Sequence, residues 1–160
     1  MSDDTRARAA LIEAAKDFLT VVTSIATTTE TVADLPTMVA DHVAWENSRF
    51  NEESKEFWAA VFYRPNIPNG VTVGQGGKDL LTGFLQIDFN GPTNRGEGAH
   101  LEWERKARLY FPAGRAFNYG GQSVLVNQAG MSQSRVIGSN FRKSLTVAFR
   151  AHLTRPILTN

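Results

Sequence analysis

The chain has 160 residues, with 17 Lys and Arg against 16 Asp and Glu, and it contains no cysteine. The length fits one domain with a substantial core, and the missing cysteine excludes disulfides, thiolate metal sites and cysteine nucleophiles. A formal net charge of +1 gives no long-range field that would attract nucleic acid or an anionic membrane. We expect a soluble protein with no membrane partner, because no apolar run approaches the ~18 residues of a spanning helix and the N-terminus lacks a signal sequence.

Apolar residues at steps of three and four predict an amphipathic helix over residues 5–25, with Ser2 or Asp3 as its cap. β-Branched residues weaken the second half, so we expect the helix to fray by about Thr28. The Thr-rich residues that follow, together with Pro36, indicate a linker or a short helix.

Four segments after the N-terminal helix are predicted to be extended or looped. The residues "HVAWENSRF" give a few extended positions, and "EFWAAVFYR" is a strand with apolar side chains on both faces that stops at Pro65. The stretch 65–79, rich in Gly and Pro, predicts a long loop or a two-stranded excursion around Val71 and Val73. Strict alternation in "LTGFLQIDFN" predicts a central strand. Phe84 interrupts the polar face of that strand, which indicates a second layer or a partner surface.

The second half begins with a predicted helix, because Asn94 and Glu97 suit a capping box and Trp103 belongs to an apolar series at helical spacing. Glycines 120–121 predict the turn of a hairpin, and alternation over 141–153 predicts the longest strand. These elements predict an α+β fold in which a mainly antiparallel β-sheet packs against the N-terminal helix and the central helix.

We assign residues 1–160 to one domain. Residues 1–41 form its N-terminal helix and Thr-rich linker, and residues 42–155 form its α+β core.

No residue pattern predicts a catalytic, cofactor or metal site. His42, His100 and His152 lie in different predicted elements without metal-ligand spacing, which indicates surface or structural histidines. The stretch "GQGGKD" lacks two diagnostic positions of a phosphate loop and is typical of a mobile turn.

Charged residues cluster in two places. In the helix "HLEWERKARLY" we expect a solvated face with ion pairs from Glu102 to Lys106 and from Glu104 to Arg108. The cations of the last strand would suit a subunit seam or an anion; they are Arg142, Lys143 and Arg150.

Three motifs in order, "VAWENSRF", "EFWAAVFYRP" and "LLTGFLQIDFNGPTNRGEGAHLEWERKARLYFPAG", resemble the tail terminator, or tail completion, family of long-tailed bacteriophages. The resemblance covers about residues 42–155 and is most specific from Gly83 to Gly98. It implies a non-enzymatic α+β subunit without a cofactor. Such subunits commonly form a hexameric ring that caps the head-proximal end of the tail tube, stops tube polymerisation and meets the head connector. The expected location is the virion tail, after assembly in the host cytoplasm, with DNA passing through the ring.

A closed ring would bury sheet edges against neighbouring subunits. For that seam we predict Arg142, Lys143 and Arg150 of the last strand, together with Phe84. For the loop that contacts the tube or the connector we predict Arg64, Asn66, Gln75, Lys78 and Asp79.

Three alternatives stay open at this point. The first is a head-tail connector or neck protein with the same ring geometry. The second is a small enzyme or ligand-binding domain whose site combines His100, Asp88 and Arg150. The third is a nucleic-acid binder that uses Arg142, Lys143 and Arg150.

Overall fold

Two helices and eight strands make up the part of the chain that the computed structural model describes, which is residues 1–24, 42–46, 48–53, 55–93, 98–155 and 157. The helices are α1 (Asp3–Ser24) and α2 (Gly98–Tyr110). The strands are β1 (Val43–Trp45), β2 (Trp58–Pro65), β3 (Asn69–Gly70), β4 (Lys78–Pro92), β5 (Ala116–Tyr119), β6 (Gln122–Met131), β7 (Arg135–Ile137) and β8 (Asn140–Thr154).

All eight strands belong to one curled sheet with the order β1-β2-β4-β8-β6-β5, while β3 extends along β4 and β7 along β8. Every strand pair is antiparallel except β1 with β2. The two 15-residue strands, β4 and β8, pair along their whole length, from Lys78 opposite Thr154 to Pro92 opposite Asn140. The predicted fold class, an α+β fold with a mainly antiparallel sheet, is confirmed.

Both helices pack on one side of the sheet, which we call the helix face. Phe89 of β4 lies at its centre, with ring centroids 6.2 Å from Phe18 of α1 and 4.6 Å from Trp103 of α2. The alternate residues of the two long strands supply the rest of this fully buried layer; they are Leu81, Leu85, Ile87, Leu145, Val147 and Phe149. The alternation in the sequence therefore assigned the core side of both long strands correctly.

Helix α1 begins and packs as its sequence predicts. Ser2 is the cap, since its Oγ accepts the Thr5 N–H at 3.4 Å. Buried Leu11 and Phe18 lie on the predicted apolar stripe. The helix runs to Ser24, and the predicted fraying near Thr28, the Thr-rich linker and the capping box at residues 94 and 97 lie outside the described residues.

The predicted excursion at residues 65–79 forms, but with different boundaries. Strand β3 consists of Asn69 and Gly70, which pair with β4, whereas Val71 and Val73 lie in the turn. Lys78 and Asp79 are the first residues of β4 and not part of a loop. The predicted hairpin turn at 120–121 is confirmed, because both glycines have positive φ between β5 and β6.

The other side of the sheet, which we call the open face, is covered by neither helix. Registered neighbours along its centre are Arg64, Phe84 and Ala148, and Thr82 lies opposite Arg150. The Phe84 side chain is 37% exposed. Towards the C-terminal end of β4 this side becomes buried, and its buried residues there are Trp58, Ala60, Asp88, Asn90 and Ser144.

Candidate functional site

The open face is a described surface that could contact another protein. Exposed Phe84 lies in one cross-strand row with Arg64, and Arg150 is exposed on the next strand. Isolated aromatic and arginine side chains of this kind are enriched in protein interfaces. No ion pair within the described chain involves Arg150, so its guanidinium is available to a partner.

The Arg142 guanidinium makes its contacts within the chain. Its Nε donates to Asn90 Oδ1 at 2.7 Å, and its Nη1 lies 3.6 Å from Asp88 Oδ2. Gln86 Nε2 donates to the same Asp88 carboxylate at 2.7 Å. Because Asp88 is only 3% exposed, these donors compensate a buried charge. Arg142 therefore stabilises the buried end of the open face.

Lys143 lies on the helix face, where its Nζ contacts Glu104 Oε2 of α2 at 2.6 Å. This donor, followed by Arg108, holds the pKa of the Glu104 carboxyl below its usual range. The structure does not bring Lys143 together with Arg142 and Arg150, because strand alternation sends its side chain to the opposite side of the sheet. The premise of an edge is also wrong, since β8 lies between β4 and β6.

The same finding removes the basis of the nucleic-acid alternative. Of its three cations, Lys143 pairs with Glu104 on the helix face and Arg142 pairs with Asp88. Only Arg150 is exposed. The described chain therefore does not unite these residues into one basic patch.

The predicted ion pairs of α2 are confirmed, with Lys106 3.5 Å from Glu102 and Arg108 2.6 Å from Glu104. Arg105 also donates to Glu102, and this hydrogen bond lowers the pKa of the Glu102 carboxyl. The predicted solvated face does not extend to Lys106, whose side chain is 3% exposed.

The hairpin tip, which we define as residues 66–77, carries two of the five predicted contact residues, Asn66 and Gln75. Asn66 is fixed by its N–H to the Thr82 carbonyl at 2.8 Å and by its amide to Thr82 Oγ1 at 3.1 Å. Gln75 and Lys78 are exposed. Arg64 belongs to β2, where its Nη1 lies 3.5 Å from Glu46.

Arg155, which the sequence patterns did not single out, contacts this hairpin tip. Its Nε donates to Asp79 Oδ1 at 2.6 Å, and its Nη1 and Nη2 donate to the carbonyls of Gly74 and Thr72. Its backbone N–H donates to Gly77 O at 2.9 Å. No local signal could have found it, because the partners lie about eighty residues earlier in the chain.

The residues of the enzymatic alternative are not brought together. His100 is 2% exposed on the helix face, between the rings of Trp103 and Phe141. Asp88 and Arg150 lie on the opposite side, and the register of β4 and β8 separates them by six residues, roughly 20 Å. No group of three metal-ligating side chains occurs in the described part of the chain.

A cleft of about 310 Å³ opens between α1 and the β1–β2 edge. Its Glu46 carboxylate lies 3.7 Å from Arg8 and 3.5 Å from Arg64, so two arginines share one carboxylate at its rim. The lining residues are Arg8, Ile12, Lys16, Trp45, Glu46 and Val61.

Neither described helix is long and apolar enough to cross a membrane.

Comparison with known proteins identifies the family. A family model described as phage tail terminator protein matches residues 11–149. One similar solved structure is 14% identical with a TM-score of 0.65, covering 90% of this chain and 94% of the other, and this likeness shows the fold alone. A search of curated proteins gives no match. Because the family model spans most of the sequence, the chain belongs to the phage tail terminator family.

Proposed function

We propose that this chain caps the head-proximal end of the tail tube, ends tube polymerisation and provides the surface that joins the head connector. The match of the tail terminator model to residues 11–149 carries this proposal, because it makes the chain a structural component of a phage tail. The subunit acts as a closed homo-oligomeric ring, hexameric in the simplest case, through which DNA passes. It catalyses no reaction and needs no cofactor. It assembles in the host cytoplasm before it enters the virion.

The open face supports the ring. An uncovered sheet face that presents Phe84 and Arg150 leaves apolar area and a cation unpartnered in the described subunit. A heterologous interface, repeated around a closed rotation, would cover that face once per subunit. The proposed seam therefore contains Phe84 and Arg150, is bordered by Arg142 and excludes Lys143.

The first experiment measures the mass of the purified protein by light scattering over a concentration series, with and without purified tail tubes. Negative-stain images of the tube ends accompany it. A ring, or a monomer that becomes a ring at one tube end, supports the proposal. A persistent monomer that ignores tubes would refute it. A ring that binds isolated head connectors and ignores tubes would instead make the protein a head-tail connector.

The seam has its own test in a double variant, Phe84→Glu with Arg150→Glu. We expect loss of the ring with unchanged circular dichroism, because both side chains are exposed and the new carboxylates would be buried unpaired in the interface. Leu109→Glu, at a 68% exposed position of α2, is the matched control and should keep the ring. If the double variant keeps both ring size and tube capping, the seam lies elsewhere.

A further inference from the structure

The hairpin tip exposes several large apolar side chains to solvent. Ile67 is 87% exposed, Val71 54% and Val73 101%, and Ile157 beside the tip is 65% exposed. Several exposed aliphatic side chains in one short segment are typical of an interaction site.

The backbone of this tip is nevertheless closely held. The N–H groups of Val71 and Thr72 donate to the Lys78 carbonyl at 2.9 and 3.2 Å, and the Lys78 N–H donates to Thr72 Oγ1 at 2.6 Å. A Cβ on Gly77 would lie 2.8 Å from Thr72 Oγ1, so the turn closes without room for a side chain. The N–H groups of Val71, Thr72 and Lys78 are thus bonded within this region, and its aliphatic side chains are exposed.

Arg155 ties the tip to the chain after β8. Its guanidinium bonds Asp79 and the carbonyls of Gly74 and Thr72, and its own N–H bonds Gly77. Four contacts from one residue to both sides of the turn hold it more firmly than the short β3 ladder alone.

The charges around the tip indicate what kind of surface would be complementary to it. Asp79 neutralises Arg155 at 2.6 Å, whereas Lys78 is exposed and forms no ion pair with any described residue. The tip therefore presents an aliphatic surface that is bordered by one uncompensated cation, Lys78. A complementary partner is a protein groove that is apolar inside and carries a carboxylate at its rim.

We propose that the hairpin tip docks into such a groove on the terminal subunits of the tail tube, and that Arg155 is the positioning residue that holds the tip in its binding conformation. The inference rests on the proposed function, since it names the element that touches the tube. Arg155 itself need not touch the partner.

The side-chain contacts of Arg155 with Asp79, Gly74 and Thr72, which we call the latch, affect binding through preorganisation of the tip. The apparent affinity of an element falls in proportion to the fraction of molecules in the competent conformation. If release of the latch leaves about one molecule in ten competent, the half-saturation concentration for tube ends rises about tenfold.

The latch is tested by hydrogen exchange. In Arg155→Ala we expect the amides of Val71, Thr72 and Gly77 to exchange at least about tenfold faster, with exchange in β2 unchanged. Arg135→Ala removes an exposed arginine of β7 and is the control for loss of charge. The double variant Arg155→Ala with Asp79→Asn removes the latch without changing the net charge of the region, and should behave like Arg155→Ala. Unchanged exchange in both latch variants would overturn the positioning role.

Docking is tested with labelled protein and purified tail tubes. Val73→Asp, at a fully exposed position, should weaken binding to tube ends at least about tenfold without changing exchange in the tip. Arg155→Ala and the charge-neutral double variant should weaken it about tenfold.

Each remaining outcome identifies what is wrong. Wild-type protein that ignores tubes overturns both the proposed function and this inference. Wild-type capping that Val73→Asp leaves intact overturns the inference alone. A changed oligomeric mass in Val73→Asp would place the tip in the subunit seam and would also overturn it. Faster exchange in the latch variants with undiminished binding would remove the positioning role of Arg155.

Discussion

Gly83 lies at a point of close approach within the sheet, opposite Pro65 of β2 and Phe149 of β8. A Cβ at this position would lie 2.8 Å from the Pro65 Cα, 3.0 Å from the Phe149 ring and still closer to the Arg64 carbonyl oxygen. Backbone atoms of Arg64 and Pro65, together with the Phe149 ring, occupy the space that a side chain would take. Glycine here is therefore a requirement of packing, and not of backbone torsion.

We predict that Gly83→Ala lowers the free energy of unfolding by about 3 kcal/mol, because backbone atoms cannot move aside as a flexible side chain can. Gly130→Ala in β6 is the matched control, since a Cβ there meets nothing within 4 Å. It should change the free energy by less than about 0.5 kcal/mol. Urea denaturation at one fixed protein concentration measures both, and equal effects would contradict the explanation.

At the scale of elements, α2 is attached to the sheet mainly through Trp103. This side chain is fully buried, stacks on Phe89 at 4.6 Å and meets Phe57 edge-on at 6.1 Å. The Lys143–Glu104 contact adds one polar tie between the helix and β8.

We predict that Trp103→Ala costs about 3–5 kcal/mol of unfolding free energy, from lost burial and the cavity that remains. Hydrogen exchange should increase first in α2, because the helix loses its anchor while the sheet keeps its ladder. Leu109→Ala on the exposed side of the same helix should stay within about 0.5 kcal/mol. A small effect of Trp103→Ala would mean that α1 and β6 hold α2 without it.

Periodicity explains which elements could be predicted from the sequence. The 3.6-residue repeat located α1 and α2, and strict alternation located β4 and β8 with their buried sides. The same alternation already placed Lys143 with Leu145 and Val147, so a signal against its predicted role was present in the sequence.

Pairing between distant strands could not be predicted. Nothing local indicates that β8 joins β4 to β6 or that β1 pairs in parallel with β2. The same holds for the contacts of Arg155 with the hairpin tip and for the ion pair between Lys143 and Glu104, which join residues 39 positions apart. Side chains that act across such distances leave no periodic pattern.

At the scale of the whole molecule, acid should weaken the fold through the carboxylates of α2. Hydrogen bonds from Lys143 and Arg108 to Glu104, and from Arg105 to Glu102, lower both pKa values. A carboxyl with a lowered folded pKa contributes stability that is complete above its unfolded value, ~4.3, and is lost as pH falls through the folded value.

We therefore predict that Glu104→Gln is less stable than the wild type at pH 7 and that the two converge at low pH, where Glu104 is protonated. The free energy of unfolding of the wild type should fall more steeply below about pH 4. Denaturation series from pH 7 to about pH 2 measure this difference. A gap that stays constant over the whole range would mean that the charge of Glu104 is not what stabilises the fold.

The central position of β8 has a consequence for how the subunit is made. As the last described strand, it leaves the ribosome after its two partners, and until then β4 and β6 each present an unpaired edge. Contacts between the two ends of the sequence also form only after β8 is synthesised. One example is the hydrogen bond that the Thr154 N–H donates to the Asp3 carboxylate, 151 positions away. A nascent chain of this kind has a high contact order and folds slowly and late. Its exposed edges then invite aggregation, so chaperone dependence during synthesis is the expected cost of inserting the final strand into the middle of the sheet.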